Sequence, residues 1–198
     1  RLIETAEKAS QKLHSVNESM NLEIKKRTLE IERINEQLVH KSKTDQLTSF
    51  LNKAAITELI EEMIEKGSEN AFSIIIFDID GFKSINDSLG HIAGDKCLKK
   101  LSLIATQSVR DIDVVGRYGG DEFLVVVPGT SASQARFIAE RIRKNVDRTE
   151  NPHFTVSMGI AAYPDDAVSI HSLISAADEA LYISKEKGKN TVSHRQLF

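Results

Sequence analysis

A single cysteine, Cys97, excludes an internal disulfide framework and is consistent with a reducing compartment. There is no Cys-x-x-Cys and no close pairing among the six histidines, so a structural zinc site is not expected. No apolar run approaches the length of about 20 residues that a membrane span requires, and no signal peptide is visible. The expected location is therefore the cytoplasm, with any membrane tether upstream of this fragment. An excess of one charge is lacking too: 26 basic residues stand against 29 acidic ones, net −3, so no basic field marks the chain for nucleic acid. The first 44 residues hold 9 Lys+Arg and 7 Asp+Glu, and the rest hold 17 and 22, so neither segment is a polyelectrolyte tail.

Glycine and proline are absent from residues 1 to 66, where Glu, Lys, Leu, Ile and Gln predict helix. One heptad register runs through the first 41 residues, with Ile3, Ser10, Asn17, Ile24, Ile31 and Leu38 at a and Ala6, Leu13, Met20, Arg27, Ile34 and Lys41 at d. Eight of these twelve are apolar, which predicts a coiled coil rather than an amphipathic helix packed on its own domain. Asn17 at a favours a parallel dimer, and Arg27 at d weakens the seam. The chain opens on Arg1 inside this helical pattern, so a fragment with something missing upstream is expected. The predicted organisation is a coiled-coil signalling helix over 1–44 and a globular domain over 45–198.

Beyond the helix the pattern changes. Ala71 to Phe77 (AFSIIIF) predicts a buried strand ending at Asp78, and residues 92–109 carry apolar positions at helical spacing. Val114 to Tyr118 and Glu122 to Val127 predict strands around Gly119-Gly120, a two-residue turn of the type that needs positive φ. Residues 131–147 predict a helix opened by a Ser or Thr cap. Phe154 to Ala162 predicts a strand, and Ile170 to Lys187 a last helix stopped by Gly188. The order β-α-β-β-α-β is a ferredoxin-like α/β (α+β) arrangement, a mainly antiparallel central sheet flanked by helices, preceded by the long N-terminal helix. The first strand then lies beside the third, which brings Asp78 to Asp121.

In that topology Asp78, Asp80, Asp121 and Glu122 converge on one edge of the sheet. Adjacent ionised carboxylates repel, so the edge needs a cation or raised pKa values. Oxygen ligands alone suit Mg²⁺ or Mn²⁺, and Mg²⁺ completes its shell with water and substrate phosphates, so a nucleotide is implied. The turn through Gly81, Phe82 and Lys83 offers backbone N–H groups and one ammonium to phosphates. Asn86 and Asp95, on either side of Gly90-His91, have the acceptors to read guanine, whose N1–H and amino group are donors.

At these residues the sequence resembles the GGDEF family of diguanylate cyclases, whose name is the stretch Gly119 to Phe123. Asp45-Gln46-Leu47-Thr48 with Leu51-Asn52 is similar to the family's opening motif. DIDGFKSIND (78–87), GHIAGD (90–95), RYGGDEF (117–123), AERIR (139–143), TVSMGIA (155–161) and ADEALYISKEKGKN (177–190) follow in order. The resemblance covers residues 45–198. It implies that two GTP molecules, each on one of two opposed domains, are joined into cyclic di-GMP with release of two pyrophosphates. It implies further that Asp78, the Ile79 carbonyl, Asp121 and Glu122 hold two Mg²⁺ or Mn²⁺ ions. Asp78, Asp121 and Glu122 are then the catalytic acids, with the proton acceptor among them open. Phe82, Lys83, Lys185 and Lys189 would face the phosphates, Asn86 and Asp95 the guanine, and Gly119 and Gly120 would leave room for substrate.

Arg110 to Asp113 (RDID) fits the family's inhibitory RxxD, and Arg141 falls where a second arginine completes this product-binding site. Four positions depart from the family pattern. Ser49-Phe50 stands for Gly-Leu and Lys53 for Arg in the opening motif, so an arginine ion pair from position 53 to the domain is not expected. Lys189 stands for Arg, which replaces a two-pronged phosphate contact by a single one. The implied partners are GTP, cyclic di-GMP as product and inhibitor, a second copy of the chain through a parallel coiled coil, and the upstream sensor. The alternative reading is a catalytically silent domain that acts as a receptor for GTP or cyclic di-GMP.

Overall fold

The computed structural model describes residues 17, 20–31, 43–67 and 71–194. The chain divides into two compact units, Arg1–Ser42 and Lys43–Phe198. In the first, residues 20–31 form helix α1, along which Arg27 pairs with Glu23 one turn back (2.7 Å). The seam residues Met20, Ile24 and Ile31 are exposed on it, as are Leu22 and Leu29, which fall outside the two-in-seven stripe. The remaining heptad positions, from Ile3 to Leu13 and from Ile34 to Lys41, lie outside the described residues.

The second unit is a six-stranded sheet in the order β1-β3-β4-β2-β5-β6. The strands are β1 (Leu51–Asn52), β2 (Phe72–Ile79), β3 (Val114–Arg117), β4 (Glu122–Pro128), β5 (Val156–Tyr163) and β6 (Val192–His194). The helices are α2 (Lys53–Glu65), α3 (Phe82–Leu89), α4 (His91–Ser108), α5 (Ala132–Asp147) and α6 (Ile170–Glu186). β2 pairs antiparallel with both β4 and β5, so the first long strand lies beside the third, as the pattern predicts. The two short strands, absent from the sequence reading, add parallel edges: β1 on β3 and β6 on β5.

Every residue of β2 is buried, because helices cover both faces of the sheet. Ile75, Phe77 and Ile79 meet Leu98, Leu101, Ile142 and their neighbours on α4 and α5; Phe72, Ile74 and Ile76 meet Ile56 and Ile60 of α2 and Leu173 and Leu181 of α6. Alternation within one apolar run therefore feeds two cores. Local signals set the helix starts. Asn52 accepts from Ala55 N at α2, and Ser131 with Gln134 forms a capping box at α5. Gly159 of β5 lets α6 lie against the sheet, since a Cβ there would sit 2.9 Å from the Ala180 carbonyl carbon and closer still to Ala177 O and Leu181 N.

Two local expectations fail. The β3–β4 connection is not a two-residue turn, because four residues, Tyr118 to Asp121, separate the strands, and neither glycine has positive φ. A longer loop relaxes that backbone demand; Gly119 instead leaves room for the Glu122 carboxylate, which a Cβ would force to shift. The segment after Gly81 is not only a turn but a helix, α3, entered through Gly81 in the left-handed region (φ 70°).

Candidate active site

Strand register places the central carboxylates. Asp78, at the end of β2, is the direct antiparallel partner of Glu122, at the start of β4. Their side chains therefore share the sheet face that α2 and α6 cover. α6 brings Lys185 onto this pair, its Nζ 2.5 Å from Asp78 Oδ2. Asp78 is buried (8 % exposed), and its other oxygen, Oδ1, has no hydrogen-bond partner. Burial pushes the Asp78 carboxyl up, the bond to Lys185 and its charge pull it down, and the charges of Asp121 and Asp80 push it up again; the result lies above the ordinary carboxylate value. For Lys185 burial acts downward, but the bond to Asp78 and the charges of Asp78, Asp121 and Glu122 outweigh it and raise the ammonium.

Among the described residues no three His, Cys, Asp or Glu side chains are gathered tightly enough to form a ready-made metal cage. The local chemistry nevertheless fits a divalent cation. A buried carboxylate oxygen lacks a partner, a second carboxylate stands across the strand pair, and an ammonium occupies the place of positive charge.

Asp80 stands apart. Grouped with the converging carboxylates but not among the expected metal ligands, it has both oxygens taken by the protein: Oδ1 accepts from Ser157 Oγ (2.6 Å), and Oδ2 from Thr155 Oγ1 (2.7 Å) and Asn190 N (3.0 Å).

The base-reading candidates meet through the α3–α4 corner. Gly90, at φ 81°, turns the chain between the helices and donates to Asn86 O (2.9 Å). The Asn86 side chain packs against Gly94, where a Cβ would strike Asn86 Oδ1 and lie 3.1 Å from the Phe82 ring. Asn86 Oδ1 is buried without a partner, and the exposed Asp95 follows Gly94 directly. The first N–H groups of α3, at Phe82 and Lys83, lie in the turn that follows Asp80, where a helix start favours anions. Lys83 and Lys189 are exposed.

Two participants escaped the sequence reading. Arg117 ties the opening turn to the Gly119-Gly120 loop: Nη1 reaches both Asp45 oxygens at 3.1 Å, while Nε and Nη2 donate to Gly120 O at 3.1 and 2.6 Å. The domain thus has the arginine ion pair that position 53 was not expected to make, supplied from β3. Lys53 instead lies 4.2 Å from the Tyr118 ring centroid. An arginine beside Tyr-Gly-Gly at the end of an apolar strand was the available signal. The second is Asp178 of α6. Burial and the charge of Glu122 push its carboxyl up against the opposing charges of Lys185 and Lys53, which places it in the same electrostatic neighbourhood. Its seven-residue spacing from Lys185 on one helix was the clue.

The inhibitory-site candidates gather at the other end of α4. Arg110 grips Asp113, whose side chain is wholly buried, and also donates to Thr130 Oγ1 (3.1 Å). Arg141 of α5 donates from Nε to Ser108 O (2.9 Å), two residues before Arg110. A cavity of about 450 Å³ between Met63, Pro128, Thr130 and Tyr163 opens at the end of the sheet remote from Asp78 and includes none of these candidates.

Comparison with known proteins bears on the family and the fold. The family described as "Diguanylate cyclase, GGDEF domain" matches residues 42–191. Diguanylate cyclase A of Treponema denticola is 39% identical over 170 residues, 80% of this chain and 46% of that protein. Response regulator PleD of Caulobacter vibrioides is 36% identical over 159 residues, 75% of this chain and 35% of that protein. The chain thus spans less than half the length of these curated relatives. Among solved structures, the coiled coil and GGDEF domain of DgcB from Caulobacter crescentus in complex with c-di-GMP superposes with a TM-score of 0.77 at 29% identity, covering 88% of this chain and 98% of that one.

Proposed function

The chain belongs to the GGDEF diguanylate cyclase family, and from that premise we propose that it condenses two GTP molecules into cyclic di-GMP with release of two pyrophosphates. One observation carries the reading to these residues: of the four buried side-chain atoms without a hydrogen-bond partner among the described residues, two carbonyl or carboxylate acceptors, Asp78 Oδ1 and Asn86 Oδ1, belong to the candidate site. An unpaired buried acceptor costs about 1–3 kcal/mol. A cation at Asp78 and a guanine N–H at Asn86 remove both penalties.

In this reading Asp78, the Ile79 carbonyl, Asp121 and Glu122 hold Mg²⁺ or Mn²⁺. When bound, the ions neutralise the triphosphate and acidify the attacking hydroxyl. Asn86 and Asp95 orient the guanine. The N–H groups of Phe82 and Lys83, with Lys83 and Lys189, hold phosphate oxygens, and Lys185 transfers its charge from Asp78 to the triphosphate. Gly119 and Gly120 keep the loop free of side chains beside Glu122. The 3′-oxygen of one GTP then attacks the α-phosphorus of the other, the bond to the β-phosphate bridging oxygen breaks, and pyrophosphate leaves; repetition with the roles exchanged closes the ring.

Because each domain holds one GTP, turnover requires a second copy facing the first. Residues 1–44, paired as a parallel coiled coil, supply that encounter at high effective concentration and pass on the state of an upstream sensor. The heptads and the likeness to the coiled-coil-bearing DgcB structure support this role. Arg110, Asp113 and Arg141 form a product site, since guanidinium groups suit both phosphate and the acceptor edge of guanine.

The test is chromatography of the products formed by the purified chain with GTP and Mg²⁺ while cyclic di-GMP is sequestered. Cyclic di-GMP is expected from the unsubstituted chain and not from Asp121→Ala. Absence of product from the unsubstituted chain at high protein concentration overturns the reading, and retained binding of cyclic di-GMP in that case identifies a receptor.

A further inference from the structure

We propose that Asp80 and Arg143 are positioning residues for the turn at 187–190, and through it for Lys189 at the triphosphate; this rests on the GTP reading above. The turn is unusual backbone. Gly188, Lys189 and Asn190 have φ of 104°, 66° and 46°, so two consecutive non-glycine residues occupy the left-handed region. Such residues persist only where their surroundings over-determine them. Here the restraint comes from two directions. Asp80 accepts the Asn190 backbone N–H (3.0 Å), and Arg143 of α5 donates from Nη1 to Asn190 Oδ1 (2.9 Å).

Both anchors are themselves immobilised. Asp80 donates its own N–H to Thr155 O (2.9 Å) and receives the hydroxyls of Thr155 and Ser157. Arg143 is gripped by Glu140 through Nε and Nη2, both at 3.0 Å, and its side chain is 16% exposed. Lys189 N in turn donates to Ser184 O (3.2 Å), and Ser184 Oγ donates to Met158 O (2.7 Å). The network therefore joins the end of β2, the start of β5, α5 and the end of α6. These elements come from both helix layers and from widely separated stretches of the chain. Asp78 and Asp80, two residues apart, thus divide the labour: Asp78 keeps an oxygen free, whereas Asp80 commits both of its oxygens to fixing the loop.

The positioning role differs from a purely structural one in its coupling to Lys189. The experiment measures binding of 3′-deoxy-GTP with Mg²⁺, which lacks the attacking hydroxyl, by calorimetry on the full chain. Asp80→Asn and Asn190→Gly are each compared in the parental and Lys189→Ala backgrounds. Glycine accepts the left-handed backbone and keeps the N–H to Asp80, so Asn190→Gly removes only the Arg143 contact. We expect Asp80→Asn to weaken binding about tenfold and Asn190→Gly roughly threefold, and both effects to shrink below about twofold once Lys189 is alanine. Asn190→Gly decides the matter by itself if Asp80→Asn does not fold. Equal fold-losses in the two backgrounds, or no loss in either variant, overturn this proposal alone. Failure of the unsubstituted chain to bind the analogue overturns it together with the GTP reading.

Discussion

Replacement of Gly159 by alanine probes how the sheet and α6 create the site. The added Cβ would lie 2.9 Å from the Ala180 carbonyl carbon and closer to Ala177 O and Leu181 N, all backbone atoms on the buried face of one helix. None can rotate aside, so α6 must retreat by on the order of 1 Å to restore ordinary contact. Overpacking of this kind costs about 1–3 kcal/mol. The upper end applies here, because the retreat also loosens Leu173, Ala177 and Leu181 from Ile74 and Ile76. A loss of about 3 kcal/mol lowers Tm by roughly 6–12 °C in a chain of this size. Urea unfolding with an unchanged m-value should report the same loss. Function should suffer further, since the retreat separates Lys185 from Asp78 and Ser184 from Met158 O. Cyclic di-GMP formation well below the melting temperature should therefore fall by more than the unfolded fraction explains. Stability within about 0.5 kcal/mol of the parent, with turnover intact, would show that α6 is not seated by this glycine.

Two further outcomes follow from the ion pairs. Burial acts upward on the Asp45 carboxyl, but the two Thr48 bonds and Arg117 prevail and hold it below its ordinary value of 3.8. A depressed folded pKa contributes stability that is present above the unfolded value and lost as pH falls through the folded one. Asp45→Asn should thus lower the urea midpoint at pH 7, with the gap to the parent closing as pH falls below about 4; a constant gap refutes the assignment. Arg110→Ala should leave the initial rate near the parental value and abolish inhibition by added cyclic di-GMP, with some loss of stability because the buried Asp113 loses its ion-pair partner. Undiminished inhibition would place the product site elsewhere.

The sequence reading succeeded where chemistry is local or spacing is regular and failed where partners are remote. The apolar run of AFSIIIF, the Ser131 cap and the stop at Gly188 each depend on a few neighbouring residues, and all three appear as expected. The positive φ anticipated for Gly119-Gly120 assumed a two-residue turn; β3 instead ends at Arg117, so Tyr118 and Asp121 both belong to the loop, and the demand moved to space beside Glu122. The Ser49 that replaces a family glycine does sit in the left-handed region (φ 63°), held by its N–H to Asp45 O (2.8 Å). Phe50, which replaces leucine, packs edge-on against Phe123 of the motif itself (6.1 Å).

By itself, the sequence determined the family, the order of the long strands and helices and the adjacency of Asp78 to the start of β4, because periodicity and motif spacing follow from backbone geometry that every chain shares. Only the tertiary structure separated the two aspartates of DID. Asp78 and Asp80 read alike, but their partners are Lys185 in one case and Thr155, Ser157 and Asn190 in the other, 75 to 110 residues away for the second. Which oxygen stays free for a ligand depends on which donors the fold delivers to it, and those donors arrive on β5 and the end of α6, elements that no local pattern around residue 80 describes.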